Sequence, residues 1–410
     1  MASIPACELA REILDACLRD GTWPSRPLDD LIERALDDDD PFLASAATSA
    51  LFGIVIERLA DLFEPSLCDV YARLFSHVIA RALPEYDRDD LLLRYGRIRQ
   101  VRRFQGGEVR RVFVLSRVTL GADVAVTSLV LAAAKERFPD AEIRFVAPVK
   151  NAEMFLADPR IGAVTIMYGR ASLLRDRLLA AAELRIAVEE LGSIVIDPDS
   201  RLTQLGLIPV CDDAQYYFFE SRAFGGEIDA PLTDLTAAWL TEVFDVPRMR
   251  PYVAPPVEEA VADFTVSLGV GENANKRLDD EFEYAVLVAL LERGRTVLLD
   301  RGAGGEEERR VDALAKRLGE PPNLRLHTGS YAAFASQIVR SKLYVGYDSA
   351  GQHVAAAAHV PMVSVFAGYV CERMLARWRP NAPGARVITV DESNRCSALK
   401  RTLAAIQEVV

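Results

Sequence analysis

A short turn of small and polar residues near the end of the chain has the chemistry of an anion-binding site. The sequence around it predicts a buried strand at residues 343–347 and an alanine-rich helix at residues 353–359. The turn between them consists of Asp348, Ser349, Ala350 and Gly351. Free N–H groups at a helix N-terminus bind phosphate, but an Asp-Ser pair equally caps an ordinary helix. Both interpretations stay open on these residues alone.

The segment from Asp348 through His353 to the alanines after it resembles the Asp-Ser/Thr-Gly-x-x-His-x-x-Ala-Ala signature of glycosyltransferase family 9, the heptosyltransferase family. Ala350 stands where the family usually carries glycine, and Gly351 follows it directly. The resemblance implies that the backbone amides of Ser349 to Gly351 neutralise a diphosphate. It also implies that His353 orients the turn or donates a hydrogen bond.

A second element, from Arg117 to Asp123, is similar to the family's Arg-Leu-Gly-x-x-Gly-Asp-Val-x-x-Thr motif. Ala122 replaces the glycine before the carboxylate, and Gly121 sits one place earlier. The resemblance implies that Asp123 is the base that takes the proton of the acceptor hydroxyl. The alternative is that Asp123 only caps the helix predicted at residues 124–138.

A third element resembles the family's glycine-rich loop, which ends in Lys-Arg before a helix. Gly269 and Gly271 allow backbone amides to approach phosphate, and Lys276 offers a point charge to the departing diphosphate, with Arg277 beside it. A Lys-Arg pair at a helix start without a ligand is disfavoured by the helix dipole, so a bound anion is the better interpretation. Leu278 and Asp279 replace the family's aromatic residue and proline.

Further candidates follow other predicted strands. Thr328 and Gly329 either line the nucleotide pocket or cap the next helix. Three polar residues in the middle of the chain follow predicted strands whose ends face the cleft expected between two α/β halves: Arg201, Gln204 and Arg222. They could hold an anionic or polyol acceptor. Arg117 is assigned to the same acceptor site.

The elements that must position these residues fall into three regions. Residues 1–105 predict an all-helical domain, with apolar residues at helical spacing in segments 9–18, 28–36, 42–63 and 67–83. Strands and helices then alternate in a first Rossmann-like, acceptor domain at 106–250 and a second, nucleotide-sugar donor domain at 251–410. Four prolines between Pro247 and Pro256 predict a linker between these two domains. The resemblance implies that the two domains face a cleft, as in the GT-B fold.

The α/β class rests on eleven candidate strands, each short, apolar and separated from the next by helical spacing or a turn. The predicted strands are at 112–115, 142–147, 163–168, 193–197, 216–220, 264–268, 296–300, 324–327, 343–347, 362–366 and 387–390. The clearest helices between them are at 124–138 and 173–182, with a closing helix at 397–409. No Walker motif or G-x-G-x-x-G motif opens either domain, which disfavours a P-loop or plain dinucleotide fold.

Composition narrows the functional classes. The 410 residues carry a formal net charge of −12, which argues against nucleic acid as the main partner. Six scattered cysteines without a C-x-x-C pair indicate reduced thiols, so a cytoplasmic location is expected. Four histidines without ligand spacing indicate no metal site. Neither a signal sequence nor a membrane-spanning apolar run is predicted.

We expect a metal-independent, inverting glycosyltransferase that uses a nucleotide-diphosphate sugar, by family default ADP-heptose, and no other cofactor. The acceptor could be a glycan, a lipid-linked compound, a protein or a small molecule. Two alternatives remain. One is a catalytically inactive GT-B scaffold whose helical domain binds a partner protein. The other is an epimerase of nucleotide sugars with the same architecture.

Overall fold

The computed structural model describes residues 4–37, 39–169, 172–271, 273–302 and 304–409. Over these residues the chain forms a block of helices followed by two α/β halves, each with one parallel sheet. This confirms the predicted α/β class with a preceding helical region. The Pro-rich segment was also predicted correctly, since residues 245–262 contain no helix or strand.

The helical block consists of α-helices with one π-helical turn, Leu51–Ile56, in the middle. The helices are α1 (Ala6–Asp20), α2 (Ser25–Ala35), α3 (Pro41–Ala50), α4 (Glu57–Asp61), α5 (Pro65–Ala82) and α6 (Arg88–Ile98). Helix α3, the π turn and α4 form one continuous helical stretch. Among the described residues it is the single helix long and apolar enough to span a membrane, and half of that apolar window is buried. A core helix has the same properties, so this is weak evidence for a membrane span.

The first half contains a five-stranded sheet in the order β3-β2-β1-β4-β5. Its elements are β1 (Arg111–Leu115), α7 (Leu120–Ala122), a π turn (Asp123–Thr127), α8 (Ser128–Arg137), β2 (Glu142–Ala147), α9 (Val149–Ala152), β3 (Ile161–Thr165), α10 (Leu174–Val188), β4 (Ser193–Asp197), β5 (Tyr216–Phe218) and α11 (Leu232–Phe244).

The second half contains a six-stranded sheet in the order β11-β10-β9-β6-β7-β8. Its elements are β6 (Phe264–Ser267), α12 (Asp280–Leu291), β7 (Val297–Asp300), α13 (Gly305–Arg317), β8 (Leu324–His327), α14 (Tyr331–Arg340), β9 (Leu343–Tyr347), α15 (Ala350–Ala357), β10 (Met362–Ala367), α16 (Glu372–Trp378), β11 (Ala385–Val390) and α17 (Ala398–Val409).

Both sheets reverse their strand order at one point, between β1 and β4 in the first half and between β6 and β9 in the second. Ligands bind at such switch points because the loops after the two strands diverge and leave a crevice at their carboxyl ends. The predicted motifs follow these four strands. The topology therefore places them at the two crevices.

The helical block folds onto the first half, as its hydrophobic periodicity predicts. Its apolar residues form one continuous core with Phe113, Leu115 and Val195 of the first sheet. The block also reaches the second half, where the Phe63 ring lies 6.1 Å from the Trp378 ring and the Phe63 carbonyl accepts a hydrogen bond from Arg373. The block is therefore packed against both halves.

Three predicted boundaries were wrong in ways that matter for the site. The helix after β1 begins at Leu120, so Asp123 lies inside it and does not cap it. Helix α15 begins at Ala350, which makes Ala350 and Gly351 its first turn. Strand β3 begins at Ile161, two residues before its predicted start.

Candidate active site

The two halves meet where α7 and α15 approach each other across the cleft. A side-chain Cβ at Gly121 would lie 3.0 Å from His353 Cδ2 and 3.3 Å from Ala350 Cα. Only a residue without a side chain allows this approach without displacement of the opposite helix. The glycine shifted by one place relative to the family motif thus has a packing function.

Two adjoining cavities lie at this junction. The larger cavity, of about 900 Å³, is lined mainly by loops of the second half. The smaller cavity, of about 240 Å³, is lined mainly by the first half. Four residues line both cavities and so mark the boundary between them: Glu57, Asp61, Thr119 and Lys276.

The larger cavity contains most of the residues predicted to bind the donor. Those that line it are Gly269, Gly271, Lys276, Gly329, Asp348, Ser349 and Ala350. Lys276 Nζ donates hydrogen bonds to Asp348 Oδ2 at 2.6 Å and to the Asp348 carbonyl at 3.1 Å. Asp348 Oδ1 accepts from Gln352 Nε2 at 2.5 Å, which fixes the carboxylate. The ammonium group is thereby held beside the N-terminus of α15.

The N-terminus of α15 supplies the backbone donors at this position. Ser349 is the N-cap, and its side chain makes no capping hydrogen bond. The first-turn N–H groups of a helix lack intrahelical acceptors and attract anions. Gly351 itself does not line the cavity, because it packs against the Tyr344 ring and leaves no space for a side chain. This contact with Tyr344, and not the approach of a ligand, explains why position 351 is a glycine.

Three further residues predicted to bind the donor do not line the larger cavity. Arg277 turns away and forms ion pairs with Glu283 and Asp280. Thr328 lies next to the lining residue Gly329 but is not itself in the lining. His353 borders a separate cavity of about 460 Å³ behind α15, with its ring 5.8 Å from that of Trp378. Burial lowers the pKa of His353 to about 4, so the imidazole is neutral near pH 7.

Glu272, within the glycine-rich loop, lies outside the described residues.

Asp123 is fully buried directly behind the wall of the smaller cavity. Its Oδ1 accepts from the Arg117 N–H at 2.7 Å and Thr127 Oγ1 at 2.6 Å. Its Oδ2 accepts from Ser116 Oγ and Asn151 Nδ2, each at 2.6 Å. Burial raises the pKa of Asp123, and these four hydrogen bonds oppose the rise. The base role of Asp123 stays a prediction, and one that this geometry does not favour.

The smaller cavity is lined by the predicted acceptor residues Arg117, Arg201 and Arg222. Gln204 does not line it, since this residue is fully buried and its amide donates to the Arg177 carbonyl at 3.2 Å. Asp199 accepts hydrogen bonds from Arg222 and from Ser221 Oγ at the cavity wall. Three arginines and one carboxylate therefore form a charged wall at the carboxyl ends of β1, β4 and β5.

The charged wall keeps unused hydrogen-bond donors. Buried Nε atoms of Arg117 and Arg222, and Nη1 of Arg201, find no acceptor among the described residues. Burial and the charge of Arg222 lower the pKa of Arg117 to about 10. Burial alone would lower the pKa of Arg222, but the charges of Asp199 and, to a smaller extent, Asp61 raise it above its usual value. Buried donors are normally paired, so these unpaired ones mark a place for a ligand's oxygen atoms.

Two residues that line the smaller cavity, Val118 and Asp199, adopt left-handed backbone conformations with φ of 71° each. For a β-branched residue such as Val118 this region is strongly disfavoured. Residues held in such conformations cluster at functional sites, where the surrounding structure enforces them.

Comparison with known proteins identifies part of this architecture. Residues 268–403 match the model of glycosyltransferase family 9 (heptosyltransferase). These residues are similar to glycosyltransferase family 9 over about a third of the chain. No curated protein sequence matches the chain. The family match, together with the fold, supports a glycosyltransferase and confirms the resemblance seen in the sequence.

Solved structures with the same fold include three bacterial proteins. One is a glycosyl transferase family 9 protein from Veillonella parvula, with 17% identity, a TM-score of 0.55, and coverage of 74% of this chain and 97% of the other. Another is the E. coli heptosyltransferase WaaC with ADP, with 15% identity, a TM-score of 0.55, and 73% and 100% coverage. The third is E. coli ADP-heptose lps heptosyltransferase II, with 16% identity, a TM-score of 0.52, and 73% and 98% coverage. These similarities establish a heptosyltransferase-like GT-B fold.

Several residues that line the two cavities were not predicted from the sequence. In the second half these include Asp300, His327 and Tyr331, which line the larger cavity. The helical block contributes Glu57 and Asp61 to both cavities. Acidic residues four apart on a helix resemble an ordinary solvated face, so the sequence contained no signal for their position. The nearest signal is Gly53, a helix-disfavouring residue just before them.

Among the described residues, no group of three or more His, Cys, Asp or Glu side chains lies close enough to hold a metal ion.

Proposed function

We propose that the chain transfers a sugar from a nucleotide-diphosphate sugar to an acceptor hydroxyl, with inversion at the anomeric carbon and without a metal ion. The observation that carries the proposal is the larger cavity, lined mainly by the second half. There a lysine, glycine-containing loops and a helix N-terminus converge at the carboxyl ends of β6 and β9. ADP-heptose is the first candidate donor, and a cytoplasmic location belongs to the same proposal.

The donor's diphosphate would lie between Lys276 and the N-terminus of α15. The ammonium group and the first-turn amides would neutralise the charge that develops on the leaving nucleoside diphosphate, which is the task that a metal ion performs in other enzymes. Lys276 now pairs with Asp348. The diphosphate would share this lysine with Asp348, which holds the ammonium group in position before the donor arrives.

The acceptor would occupy the smaller cavity. Its described lining carries five cationic and three anionic side chains, and three buried arginine nitrogens there have no acceptor among the described residues. This chemistry suits an acceptor with a carboxylate, a phosphate or several hydroxyl groups, because guanidinium groups bind such oxygens in pairs. The acceptor hydroxyl would then point towards the larger cavity.

A thermal-shift panel of nucleoside diphosphates and nucleotide sugars, run in EDTA, tests the donor site. At a ligand concentration of about 100 times Kd, we expect the matching nucleotide to stabilise the protein by about 2.7 kcal/mol. Lys276→Ala should remove most of this shift. Lys342→Ala is the matched control, since Lys342 is an exposed lysine of the same half, paired with Asp263 outside the cavities.

If no nucleoside diphosphate or nucleotide sugar shifts the melting temperature, the transferase proposal fails. The inactive scaffold that binds partners through its helical block would then be preferred. A shift that depends on Mg²⁺ would instead contradict the metal-independent part alone.

A further inference from the structure

The helical block reaches into the cleft at the boundary between the two cavities. Glu57 and Asp61 lie one helical turn apart on α4, and both line both cavities. Thr119 and Lys276, from the two α/β halves, are the other residues shared by the cavities. A sugar on a donor in the larger cavity can meet an acceptor in the smaller cavity only at this boundary.

The π turn Leu51–Ile56 explains how α4 presents these carboxylates. A π turn contains one extra residue, which rotates the following helix by about 100° relative to an uninterrupted α-helix. The residues after it therefore change face. Leu59 and Ala60 are buried in the core, and Glu57 and Asp61 border the cleft.

Glu57 has no hydrogen bond or ion pair to any residue within the described ranges 4–37, 39–169, 172–271, 273–302 and 304–409. Asp61 likewise has no hydrogen bond or ion pair within those ranges, and it differs from Glu57 in that its charge is one of those that raise the pKa of the buried Arg222. Asp123, by contrast, has both oxygens occupied by two donors each. Of these three carboxylates, only Asp123 has both oxygens occupied within the described residues, so Glu57 and Asp61 are the two with oxygens available to a ligand at the boundary.

A second, independent observation shows that the boundary faces a ligand site. Arg117 and Arg222 are each more than nine-tenths buried and line the smaller cavity, and the Nε–H of each has no acceptor in the part of the chain that the structure describes. A ligand bound by these donors would place its remaining groups against α4 and Thr119.

We propose that Glu57 of the helical block is the general base of the transfer, with Asp61 as a positioning residue that holds the acceptor beside Arg222. This inference rests on the proposed function. Glu57 takes the proton of the acceptor hydroxyl as its oxygen bonds to the anomeric carbon. The bond from that carbon to the β-phosphate oxygen breaks, and its electron pair leaves on the nucleoside diphosphate next to Lys276. The helical block is thus part of the active site.

The test uses the full-length protein and measures release of the nucleoside diphosphate from the sugar nucleotide selected by the thermal-shift panel, with water as the acceptor. ADP-heptose is the first probe. General-base catalysis typically contributes ~10²–10⁴-fold, so Glu57→Gln should lower kcat by that factor with unchanged nucleotide affinity and melting temperature. Glu64→Gln, an exposed carboxylate just beyond α4, is the matched control and should keep wild-type kcat.

Each outcome has a definite consequence. If wild-type protein binds and cleaves the sugar nucleotide and Glu57→Gln loses less than tenfold in kcat, the base assignment fails while the proposed function stands. If Asp123→Asn loses more than a hundredfold at unchanged nucleotide affinity and Glu57→Gln does not, the base is Asp123. If wild-type protein neither binds nor cleaves any sugar nucleotide of the panel, the proposed function fails, and this inference with it.

Discussion

The larger cavity is lined by glycine-containing loops, one lysine and a helix N-terminus, whereas the smaller cavity is lined by buried guanidinium groups and carboxylates. The larger cavity draws most of its polar groups from four short segments of one half, those at the carboxyl ends of β6, β7, β8 and β9. The smaller cavity combines β1, β4, the segment after β5 and the helical block. Its charges come from residues up to 219 positions apart, from Glu57 to Lys276.

This difference has an energetic consequence. Backbone amides at a helix end are present whether or not a ligand binds, so the polar groups of the larger cavity cost the folded state little free energy. Buried arginines lose hydration and remain stable only while their carboxylate partners are present. We therefore expect substitutions at the larger cavity to affect binding, and substitutions in the charged wall to affect folding as well.

The largest expected effect is on the buried pair of Asp199 and Arg222. Asp199→Ala should destabilise the protein by about 3–5 kcal/mol, because it leaves the Arg222 charge buried without its partner. Urea denaturation measures the change. Asp234→Ala is the control, since its pair with Arg248 is exposed and should contribute about 0–1 kcal/mol. A loss below about 1 kcal/mol for Asp199→Ala would mean that the two cavities do not differ in this way.

The next effect concerns pH and the fully buried Asp197 at the end of β4. Burial raises its pKa to about 6, so the folded protein holds this proton more tightly than the unfolded chain. The stability contribution of Asp197 should therefore fall as pH rises from about 4 to about 6, by at most about 3 kcal/mol.

Asp197→Asn should remove this pH dependence. Thr203 and Tyr216 donate hydroxyl groups to Asp197 Oδ2, and both hydroxyls can instead accept from an amide. The difference in unfolding free energy between variant and wild type should rise over this pH range. A constant difference would show that Asp197 does not titrate there.

The two cavities also differ in how many of their lining residues could be predicted from the sequence. Strands β2, β4, β8 and β9 have their predicted bounds, because short apolar β-prone runs between turns define a buried parallel strand. Lys276 and the Asp348–Ala350 segment could be predicted as site residues because each belongs to a short local motif, and both line the larger cavity. Helix α15 begins at Ala350, earlier than predicted. Alanine and glycine after an Asp-Ser pair suggest a turn, but both residues also fit the first turn of a helix.

The smaller cavity could be predicted only in part. Arg117 was predicted from its resemblance to the family motif, and Arg201 and Arg222 from their places after strands; all three line this cavity. Gln204 was predicted as an acceptor residue with them, but its backbone is left-handed and its buried side chain donates to the Arg177 carbonyl. Glu57 and Asp61 were missed because their position depends on how a separate block packs and on a π turn. Neither property leaves a periodic signal in a single sequence.

The third prediction concerns Asp123, whose carboxylate joins the segment after β1, the π turn Asp123–Thr127 and α9. Asp123→Ala should destabilise the protein by at least about 1–3 kcal/mol, since it leaves four buried donors without an acceptor. Asp123→Asn should cost much less. The buried Oδ1 of Asn151 has no hydrogen-bond partner within the described ranges, so a flip of that amide would present an acceptor to the new NH₂ group. Thermal unfolding of both variants is the measurement, and equal losses would contradict the predicted flip.

The smallest effect on stability is expected at Gly53, where the helical block borders the larger cavity. No atom lies within 4 Å of a Cβ built there, and leucine favours helix over glycine, so Gly53→Leu should change stability by no more than about 1 kcal/mol. The leucine would, however, occupy space in the cavity, and sugar-nucleotide affinity should fall about tenfold. Gly96→Leu is the matched control, since Gly96 is an exposed helical glycine with free space around it, outside both cavities. Titration of both variants with the same sugar nucleotide decides the question. Equal affinities would mean that the helical block stands clear of the bound donor, which would also remove the geometric basis for Glu57 at the reacting atoms.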